Sequence, residues 1–253
     1  MKVLITGHRG FIGTHLYRWL LLGGYDVVGV DRSDGGDVLD LEKEDIEQFD
    51  TIIHLAAQTS VQNDNIRKIV EDNITSFIHV FGLCKKCGKK FIYASSSCAY
   101  NITSMYGISK QMNEEYARCY GWTGCVGLRL HNVYGPEPRK NTLLGKCLAA
   151  DEITLYYDGN NMRHFTEISD VCEAIERAIS MPAGLYNVAC PEEKSVREFV
   201  AEVMKYKDLK INFVPDRMEY DKEKQEIDES LPNIIRPNYI PIERGIKSSM
   251  HVI

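Results

Sequence analysis

The sequence predicts an α/β fold in which a doubly wound parallel sheet carries a small, interwoven C-terminal substrate-binding lobe. Short apolar runs alternate with amphipathic segments along the chain, as in proteins whose strands and helices alternate. Glycines recur in the first strand-to-helix turn, where they let the backbone approach a ligand closely. The chain has 253 residues without a linker or repeat, so we expect the lobe to be woven onto the sheet.

The first element is the run V-L-I-T-G-H-R-G-F-I-G from Val3 to Gly13. It reads as a buried strand, a turn with glycines at Gly7, Gly10 and Gly13, and the start of a helix that continues to Leu22. A helix N-terminus offers unpaired N–H groups and the positive end of a dipole. This turn is therefore a candidate site for a pyrophosphate.

A second strand, Asp26 to Val30, is followed directly by Asp31, 18 residues after Gly13. An acid at this place in a Rossmann dinucleotide fold accepts hydrogen bonds from the adenosine ribose. It also repels a 2'-phosphate, so NAD is the expected cofactor. Arg32 is the opposing signal, because its guanidinium could pair with the extra phosphate of NADP.

The alternation then continues with a turn-rich stretch and further strands and helices. The predicted elements are Val38 to Leu41, an acidic helix Glu42 to Phe49, a strand that begins at Thr51 and runs into a small-residue turn ending at Ala57, a helix Asn65 to Gly88 and a strand Lys90 to Ala94. Ligands of doubly wound sheets lie at the carboxyl ends of the strands. Every motif so far falls at such an end.

Candidate chemistry begins at the serine cluster that follows the fourth strand, Ser95 to Cys98. Tyr106 and Lys110 come next, four residues apart on a helix that runs to about Gly121, so they share one helix face. A nearby cation stabilises a phenolate and lowers the pKa of a tyrosine. We therefore expect Tyr106 to act as a base, with a serine hydroxyl across the site.

Six blocks of sequence together resemble one known family. They are T-G-H-R-G-F-I-G, H-L-A-A, S-S-S-C-A-Y, Y-G-I-S-K, L-R-L-H-N-V-Y-G-P and R-H-F-T-E-I-S-D. The chain is similar to the extended short-chain dehydrogenase/reductase superfamily, in its NAD-dependent nucleotide-sugar epimerase/dehydratase branch. The resemblance implies that Ser96, Tyr106 and Lys110 are catalytic. It also implies a set of cofactor-binding residues: Gly7, Gly10, Phe11, Ile12, Gly13, Asp31, Arg32, Asp40, Leu41, Leu55, Ala56, Ala57, Asn73, Tyr106 and Lys110.

The same resemblance implies substrate contacts at the diphosphate of the sugar nucleotide by Asn132 and Arg163, with Arg217 as a further candidate from a more loosely matched part of the chain. It divides the chain into an NAD-binding Rossmann core, residues 1–130 and 165–190, and a substrate-binding lobe, residues 131–164 and 191–253. In the C-terminal part we expect three regular elements. They are a strand Gly184 to Val188, a helix from a capping box at Ser195 and Glu198 to about Tyr206, and a closing helix Ile242 to Met250.

The choice of reaction depends on the residues after Ser96. Family dehydratases carry an Asp-Glu pair there and decarboxylases a glutamate two positions on, whereas this chain has Ser97 and Cys98. A 4-epimerase needs no such acid, so NAD-dependent epimerisation of a nucleotide sugar at C4 is favoured. Cys98 and Lys140 also resemble the acid/base pair of GDP-mannose 3,5-epimerase. The alternatives are therefore 3,5-epimerisation, reduction or 4,6-dehydration, and, in another class, a non-catalytic NAD-binding protein.

The loop from Ser96 to Tyr106 spans only 10 residues and is shorter than is usual in relatives. It would leave the sugar site more open than theirs. Which of UDP, GDP or dTDP the substrate carries is left undecided by the sequence.

The composition and net charge of the chain limit the classes of partner that it could bind. The net charge of -6 and pI near 5.7 argue against a nucleic-acid surface, and no apolar run approaches the ~20 residues that cross a bilayer. The first strand follows Met1 directly, so we expect no signal peptide and a cytoplasmic protein. The eight cysteines read as reduced thiols, and no metal site is expected, because C-x-x-C at Cys84 to Cys87 has no second pair. The family resemblance implies a homodimer formed through two helices, Asn65 to Gly88 and Ser104 to Gly121.

Overall fold

The computed structural model describes residues 1–61, 65–100, 102–215 and 224–251. Its strands in chain order are β1 (Lys2–Thr6), β2 (Asp26–Val30), β3 (Thr51–His54), β4 (Lys90–Ser96), β5 (Cys125–Leu130), β6 (Val133–Tyr134), β7 (Glu152–Tyr156), β8 (Met162–Arg163), β9 (Thr166–Glu167), β10 (Gly184–Val188), β11 (Lys194–Ser195) and β12 (Lys210–Val214). Its α-helices are α1 (Phe11–Leu22), α2 (Lys43–Glu47), α3 (Ile66–Ile69), α4 (Ser76–Lys86), α5 (Met105–Tyr120), α6 (Leu143–Ala149), α7 (Ile168–Ala178), α8 (Val196–Met204) and α9 (Ile242–Met250).

Six of these strands form one parallel sheet in the order β10-β5-β4-β3-β1-β2. The predicted α/β fold with a doubly wound parallel sheet is therefore confirmed. The strand order reverses at β1, which pairs with β2 on one side and β3 on the other. In such sheets the ligand lies in the crevice at this switch point, outside the carboxyl ends of the strands.

The sheet is buried on both faces, and β1 shows how the sequence achieves this. Val3 and Ile5 belong to a core cluster shared with α1 and α7, whereas Leu4 between them belongs to the opposite cluster, built around Phe77 on α4. Side chains alternate across a strand, so an all-apolar run covers both faces. Because the strands are buried on both faces, the strand ends that carry the site are held in fixed positions.

A third apolar cluster lies in the C-terminal part of the chain. It contains Leu155 on β7, Phe165 just before β9 and Phe199 on α8. The rings of Phe165 and Phe199 are 4.4 Å apart between centroids. Ser195 and Glu198 form the expected capping box at the start of α8. The closing helix α9 matches its predicted bounds.

Several element boundaries differ from the sequence prediction. The helix expected from Asn65 to Gly88 is interrupted by a π-helical turn, Val70–Thr75, between α3 and α4. The third strand ends at His54, before the small residues of the expected turn, and the fourth extends to Ser96 rather than Ala94. π-Helical turns inside helices often accompany functional sites, and here the turn carries Asp72 and Asn73.

In the part of the chain that the structure describes, no helix is both long and apolar enough to cross a bilayer. The same residues contain no group of three or more His, Cys, Asp or Glu side chains that could hold a metal ion.

Candidate active site

The glycine turn after β1 brings the backbone close to the switch point. Gly7 adopts a φ of +74°, and a Cβ there would lie 2.7 Å from the backbone nitrogen of Ala56 after β3. A Cβ on Gly13 would lie 2.2 Å from the carbonyl oxygen of Gly7, so α1 packs directly on the turn. Gly10 is the N-cap of α1 and has no side chain with which to cap it. The first turn of α1 therefore presents its N–H groups toward an anion.

Asp31 lies at the carboxyl end of β2, where the sequence places it. Its Oδ1 accepts hydrogen bonds from the N–H and hydroxyl of Ser33 at 2.9 and 2.8 Å, and its Oδ2 accepts one from the Arg9 N–H at 3.2 Å. Burial alone would raise the pKa of Asp31, but the hydrogen bonds from Ser33 and Arg9 outweigh it and lower that pKa. The charged acceptor that a ribose needs is thus present.

Arg32 is occupied by carboxylates of the protein. Its Nε donates to Asp37 Oδ2 at 2.7 Å, and its Nη1 contacts Asp72 in the π-helical turn. These two partners raise the pKa of Arg32, against the opposing effect of burial. A guanidinium held by two carboxylates is poorly placed to receive a 2'-phosphate, which fits NAD rather than NADP.

These features border one cavity of about 490 Å³ at the carboxyl ends of β1 to β5. Most of the predicted site residues line it. They are Gly7, Gly10, Phe11, Ile12, Gly13, Asp31, Arg32, Leu55, Ala56, Ala57, Ser96, Cys98, Tyr106, Lys110 and Asn132. The glycine cradle, the Asp31 carboxylate and the small side chains after β3 together fit a dinucleotide.

On the adenine side, the structure places neighbours of the expected contact residues at the cavity wall. Among the described residues, Asp37 and Val38 line the cavity, whereas Asp40 and Leu41 do not. A 3-10 turn over Val38–Asp40, capped by Asp37, which accepts a hydrogen bond from the Leu39 N–H at 3.0 Å, places Val38 at the wall. Leu41 instead packs into the core cluster around Phe77.

Asn73 is also placed behind the cavity wall rather than in it. Its amide donates to the carbonyl of Gln58 and to Ser109 Oγ, each at 2.9 Å, and its Oδ1 accepts from the Gln58 N–H at 2.7 Å. Asn73 therefore ties the loop after β3 to helix α5. Its neighbour Asp72, which the sequence prediction missed, reaches the cavity instead.

The three predicted catalytic residues meet at the ends of β4 and α5. Ser96 is the last residue of β4, and its hydroxyl hydrogen-bonds to Tyr106 in the first turn of α5. One turn further on, Lys110 Nζ donates to the carbonyl of Ala94 at 2.8 Å and lies 5.9 Å from the centroid of the Tyr106 ring. A Cβ on Gly107 would lie 2.5 Å from the Cys98 carbonyl, so α5 approaches the end of β4 closely.

The electrostatics of this group differ from the expectation that Lys110 lowers the pKa of Tyr106. Burial raises the pKa of Tyr106 to about 12, the Cys98 thiol acts in the same direction, and the Ser96 hydrogen bond and the charge of Arg139 oppose it. Burial also lowers the pKa of Lys110, to about 8. Within the protein, Arg139 supplies the cationic influence that the sequence assigned to Lys110.

On the side of the cavity away from Asp31, the structure places two of the predicted residues outside the cavity lining. Arg139 lines the cavity and donates to Thr59 Oγ1 at 2.9 Å, whereas its exposed neighbour Lys140 does not line it. Arg163 lies buried in the pairing of β8 with β11, where its Nη1 donates to the carbonyl of Met162 at 2.7 Å, and it is not a lining residue. Arg217 lies outside the described residues.

Gln225 is a further lining residue that no sequence signal indicated. Its Nε2 donates to Ser97 Oγ at 2.6 Å and lies 3.9 Å from the Cys98 sulfur, and its Oε1 accepts from the amide of Asn132. Asn132 has a φ of +33°, a left-handed conformation that asparagine tolerates better than most residues. The amide of Gln225 thus bridges the two strand ends on this side.

A dinucleotide crevice with a serine, tyrosine and lysine grouped at its mouth defines an enzyme that oxidises or reduces a substrate through a nicotinamide cofactor. The NAD dependent epimerase/dehydratase family model matches residues 3–189. The chain belongs to this family, and its cofactor is therefore NAD.

Relatives of known name share most of the chain. Protein CapI of Staphylococcus aureus is 31% identical over 239 aligned positions, which cover 72% of this chain and 70% of that protein. A UDP-N-acetyl-alpha-D-glucosaminuronate decarboxylase of Bacillus cytotoxicus is 26% identical over 310 positions, 98% of this chain and 96% of the relative. The second alignment is longer than this chain of 253 residues, so this chain carries gaps against that relative.

Solved structures agree in fold. UDP-glucose 4-epimerase of Thermus thermophilus, in complex with NAD, superposes with a TM-score of 0.82 at 25% identity and covers 100% of this chain and 96% of that one. UDP-glucuronic acid 4-epimerase of Bacillus cereus, in complex with UDP-glucuronic acid and NAD, has a TM-score of 0.85 at 23% identity, with 100% and 98% covered.

Proposed function

We propose that this protein is an NAD-dependent enzyme that epimerises a nucleotide-activated sugar through a transient keto sugar, with C4 as the reacting carbon. The observation that carries the proposal is the grouping of Ser96, Tyr106 and Lys110 beside the NAD crevice, followed by Ser97 and Cys98 rather than by acids. NAD supplies the hydride acceptor and donor of such a reaction. The relatives named above support a sugar nucleotide, with a UDP sugar as the first to test.

In this proposal Tyr106 removes the proton of a sugar hydroxyl that Ser96 orients. The phenol needs help to ionise near neutral pH, because burial raises its pKa to about 12. The Ser96 hydrogen bond and the Arg139 charge already act in the required direction. Lys110, fixed by the Ala94 carbonyl, presents an ammonium group to the nicotinamide side of the site.

A second candidate is 3,5-epimerisation, which the position of Cys98 in the cavity wall favours. A thiol exchanges protons only where its thiolate is stabilised. Its expected partner Lys140 is exposed and does not line the cavity, so the described residues do not bring that pair together. The C4 reaction needs neither residue and is the simpler proposal.

A non-catalytic NAD-binding protein would have no use for a buried lysine and a tyrosine at hydrogen-bond distance of a serine. Each costs free energy to bury away from water. Their joint placement at the cavity mouth supports an enzyme.

We also propose a homodimer formed through α3–α4 and α5. Exposed apolar side chains recur there at helical spacing, at Ile66 and Val70 on one helix and at Ile108, Met112 and Tyr120 on the other. Such a stripe on adjacent helices suits an isologous interface. A cytoplasmic location is the matching proposal, since all eight cysteines, which lie within the described residues, are free thiols.

The test is incubation of the protein with NAD and a panel of UDP, GDP and dTDP sugars in deuterated water, followed by NMR. Inversion at C4 without deuterium uptake is expected, and uptake at C3 or C5 would transfer the assignment to Cys98. Tyr106→Phe should abolish turnover, with Tyr206→Phe, an exposed tyrosine just after α8, as the matched control. Unchanged turnover by Tyr106→Phe would refute the catalytic role, and light scattering at micromolar concentration tests the dimer.

A further inference from the structure

A buried ion cluster that the proposed chemistry does not use surrounds Arg129 on β5. Its Nε and Nη2 donate to the two carboxylate oxygens of Glu114 at 2.8 and 2.7 Å, and its Nη1 donates to Asp228 at 2.7 Å. The guanidinium also stacks over the Tyr100 ring, with 5.5 Å between its central carbon and the ring centroid. Arg129 is only 8% exposed. It is thus shared between two carboxylates that come from different parts of the chain.

The first carboxylate belongs to the helix that carries the catalytic pair. Glu114 follows Lys110 by one helical turn and Tyr106 by two, so all three lie on one face of α5. Ser95, the residue before the catalytic serine, donates to Glu114 Oε1 at 2.5 Å. The fork between Glu114 and Arg129 therefore fixes the rotation of α5 against the ends of β4 and β5.

The second carboxylate belongs to the C-terminal segment 224–233. Asp228 accepts further hydrogen bonds from the N–H and hydroxyl of Ser230, at 3.1 and 2.6 Å, and its carbonyl accepts from the Asn187 amide at 2.9 Å. Three residues earlier, Gln225 reaches the cavity between Ser97 and Asn132. Asp228 therefore anchors this segment on one side of Gln225, and the Gln225 N–H, which donates to the Met162 carbonyl at 3.2 Å, anchors it on the other.

Arg129 thus holds two working parts of the site, and Glu114 and Asp228 are joined through its guanidinium. A charge-assisted fork is geometrically specific, so a shift of either carboxylate displaces the guanidinium for the other. The arrangement also keeps one cation between the buried carboxylate of Glu114 and the half-buried carboxylate of Asp228. If one of the two carboxylates is replaced by its amide, Arg129 stays paired with the other carboxylate, so no charge is left unpaired.

We propose that Arg129 is a positioning residue that couples the segment 224–233, which brings Gln225 to the substrate side of the cavity, to helix α5, which carries Tyr106 and Lys110. The proposal rests on the proposed function only because its kinetic test uses the proposed substrate. Its consequence is that a change at Asp228, which is distant in sequence from α5, alters the rate of the reaction that α5 carries.

The test is a double-mutant cycle of Glu114→Gln and Asp228→Asn, read as kcat and KM for the sugar nucleotide with saturating NAD. Asp228→Asn should raise KM about tenfold and lower kcat, whereas a general loss of folded protein lowers kcat alone. The two changes together should cost at least about fivefold less in kcat/KM than the product of the single effects, because both act on one guanidinium. Additive effects, or an unchanged KM in Asp228→Asn, would overturn the proposal.

Asp151→Asn provides the matched control, because Asp151 is fully exposed and its effect should simply multiply with that of Asp228→Asn. If Asp228→Asn does not fold, Ser230→Ala removes one bond to the Asp228 carboxylate from an exposed position and should change KM in the same direction. An unaltered KM in that variant counts against the coupling.

Hydrogen exchange separates this proposal from the proposed function. If the wild type turns over no sugar nucleotide, the proposed function fails, and exchange still measures the coupling. Asp228→Asn should then increase amide exchange both in residues 224–233 and in the first two turns of α5. An increase confined to residues 224–233 would show that Arg129 does not transmit the change.

Discussion

Replacing Asp31 by Asn tests whether the carboxylate at the end of β2 holds the cofactor ribose. A carboxylate can accept about four hydrogen bonds, and three are already given by Ser33 and Arg9 within the protein. One strong acceptor position therefore remains for a ribose hydroxyl. Asparagine keeps an oxygen for Ser33 but loses the charged acceptor. A hydrogen bond to a charged group contributes ~1.5–3 kcal/mol, so the Kd of NAD should rise about 10- to 150-fold.

Calorimetric titration of the folded protein with NAD measures this change. Asp26→Asn is the matched control, since Asp26 is exposed at the opposite end of the same strand and should leave the Kd unchanged. A rise below twofold in Asp31→Asn, or an equal rise in the control, would refute the assignment of Asp31 to the ribose. NADP should remain a poor ligand of the variant, because Arg32 stays paired with Asp37 and Asp72.

Three further predictions concern stability and rate. Burial lowers the pKa of Lys110 from 10.5 to about 8, so the unfolded chain binds more protons between these pH values and stability rises with pH across them. Lys110→Met should therefore be inactive. Its free energy of unfolding by urea at pH 7 should be about 2 kcal/mol higher than that of the wild type, once the lost hydrogen bond to Ala94 is subtracted. The gain should be smaller at pH 9. Gly13→Ala, whose Cβ would lie 2.2 Å from a backbone oxygen, should lose about 2–3 kcal/mol in the same assay and weaken NAD binding, whereas Gly82→Ala, with open space around it, should not. Arg139→Gln removes a cation that lowers the pKa of the catalytic tyrosine, so the rise of kcat/KM with pH should move to higher pH and the rate at pH 7 should fall about tenfold; an unshifted profile contradicts this.

The elements that sequence predicts best are those whose cause is local. The glycines of the first turn, Asp31 directly after β2, and Tyr106 with Lys110 one helical turn apart all follow from spacing along a few residues. A parallel sheet then brings them together, because the carboxyl ends of its strands lie at one edge. Ser96 joins them for the same reason, since it ends β4.

The sequence pattern did not predict site residues whose position depends on contacts between distant parts of the chain. Gln225 meets Ser97 across 128 positions of sequence, and its segment has no periodicity that indicates a site. Arg139 and Lys140 are neighbours in one loop, and only the folded loop decides which of them faces the cavity. Likewise, the 3-10 turn capped by Asp37 places Asp37 and Val38 at the cavity wall, where the sequence prediction had Asp40 and Leu41.

The charges around the cavity give a reason to favour epimerisation over its alternatives. Among the described lining residues, the carboxylates are Asp31, Asp37 and Asp72, and all three belong to the ribose end with Arg32. Around the proposed catalytic residues Ser96 and Tyr106, the described lining residues offer hydroxyl, thiol and amide groups and the cations of Lys110 and Arg139. Dehydration and decarboxylation draw on an acid next to the reacting carbon, whereas inversion at C4 needs the tyrosine, which would remove and return the hydroxyl proton, and NAD, which would take up and return the hydride. Gln225 donates to Ser97 at 2.6 Å, so the group that the described residues place beside Ser97 is a neutral amide rather than an acid, which fits inversion better than dehydration or decarboxylation.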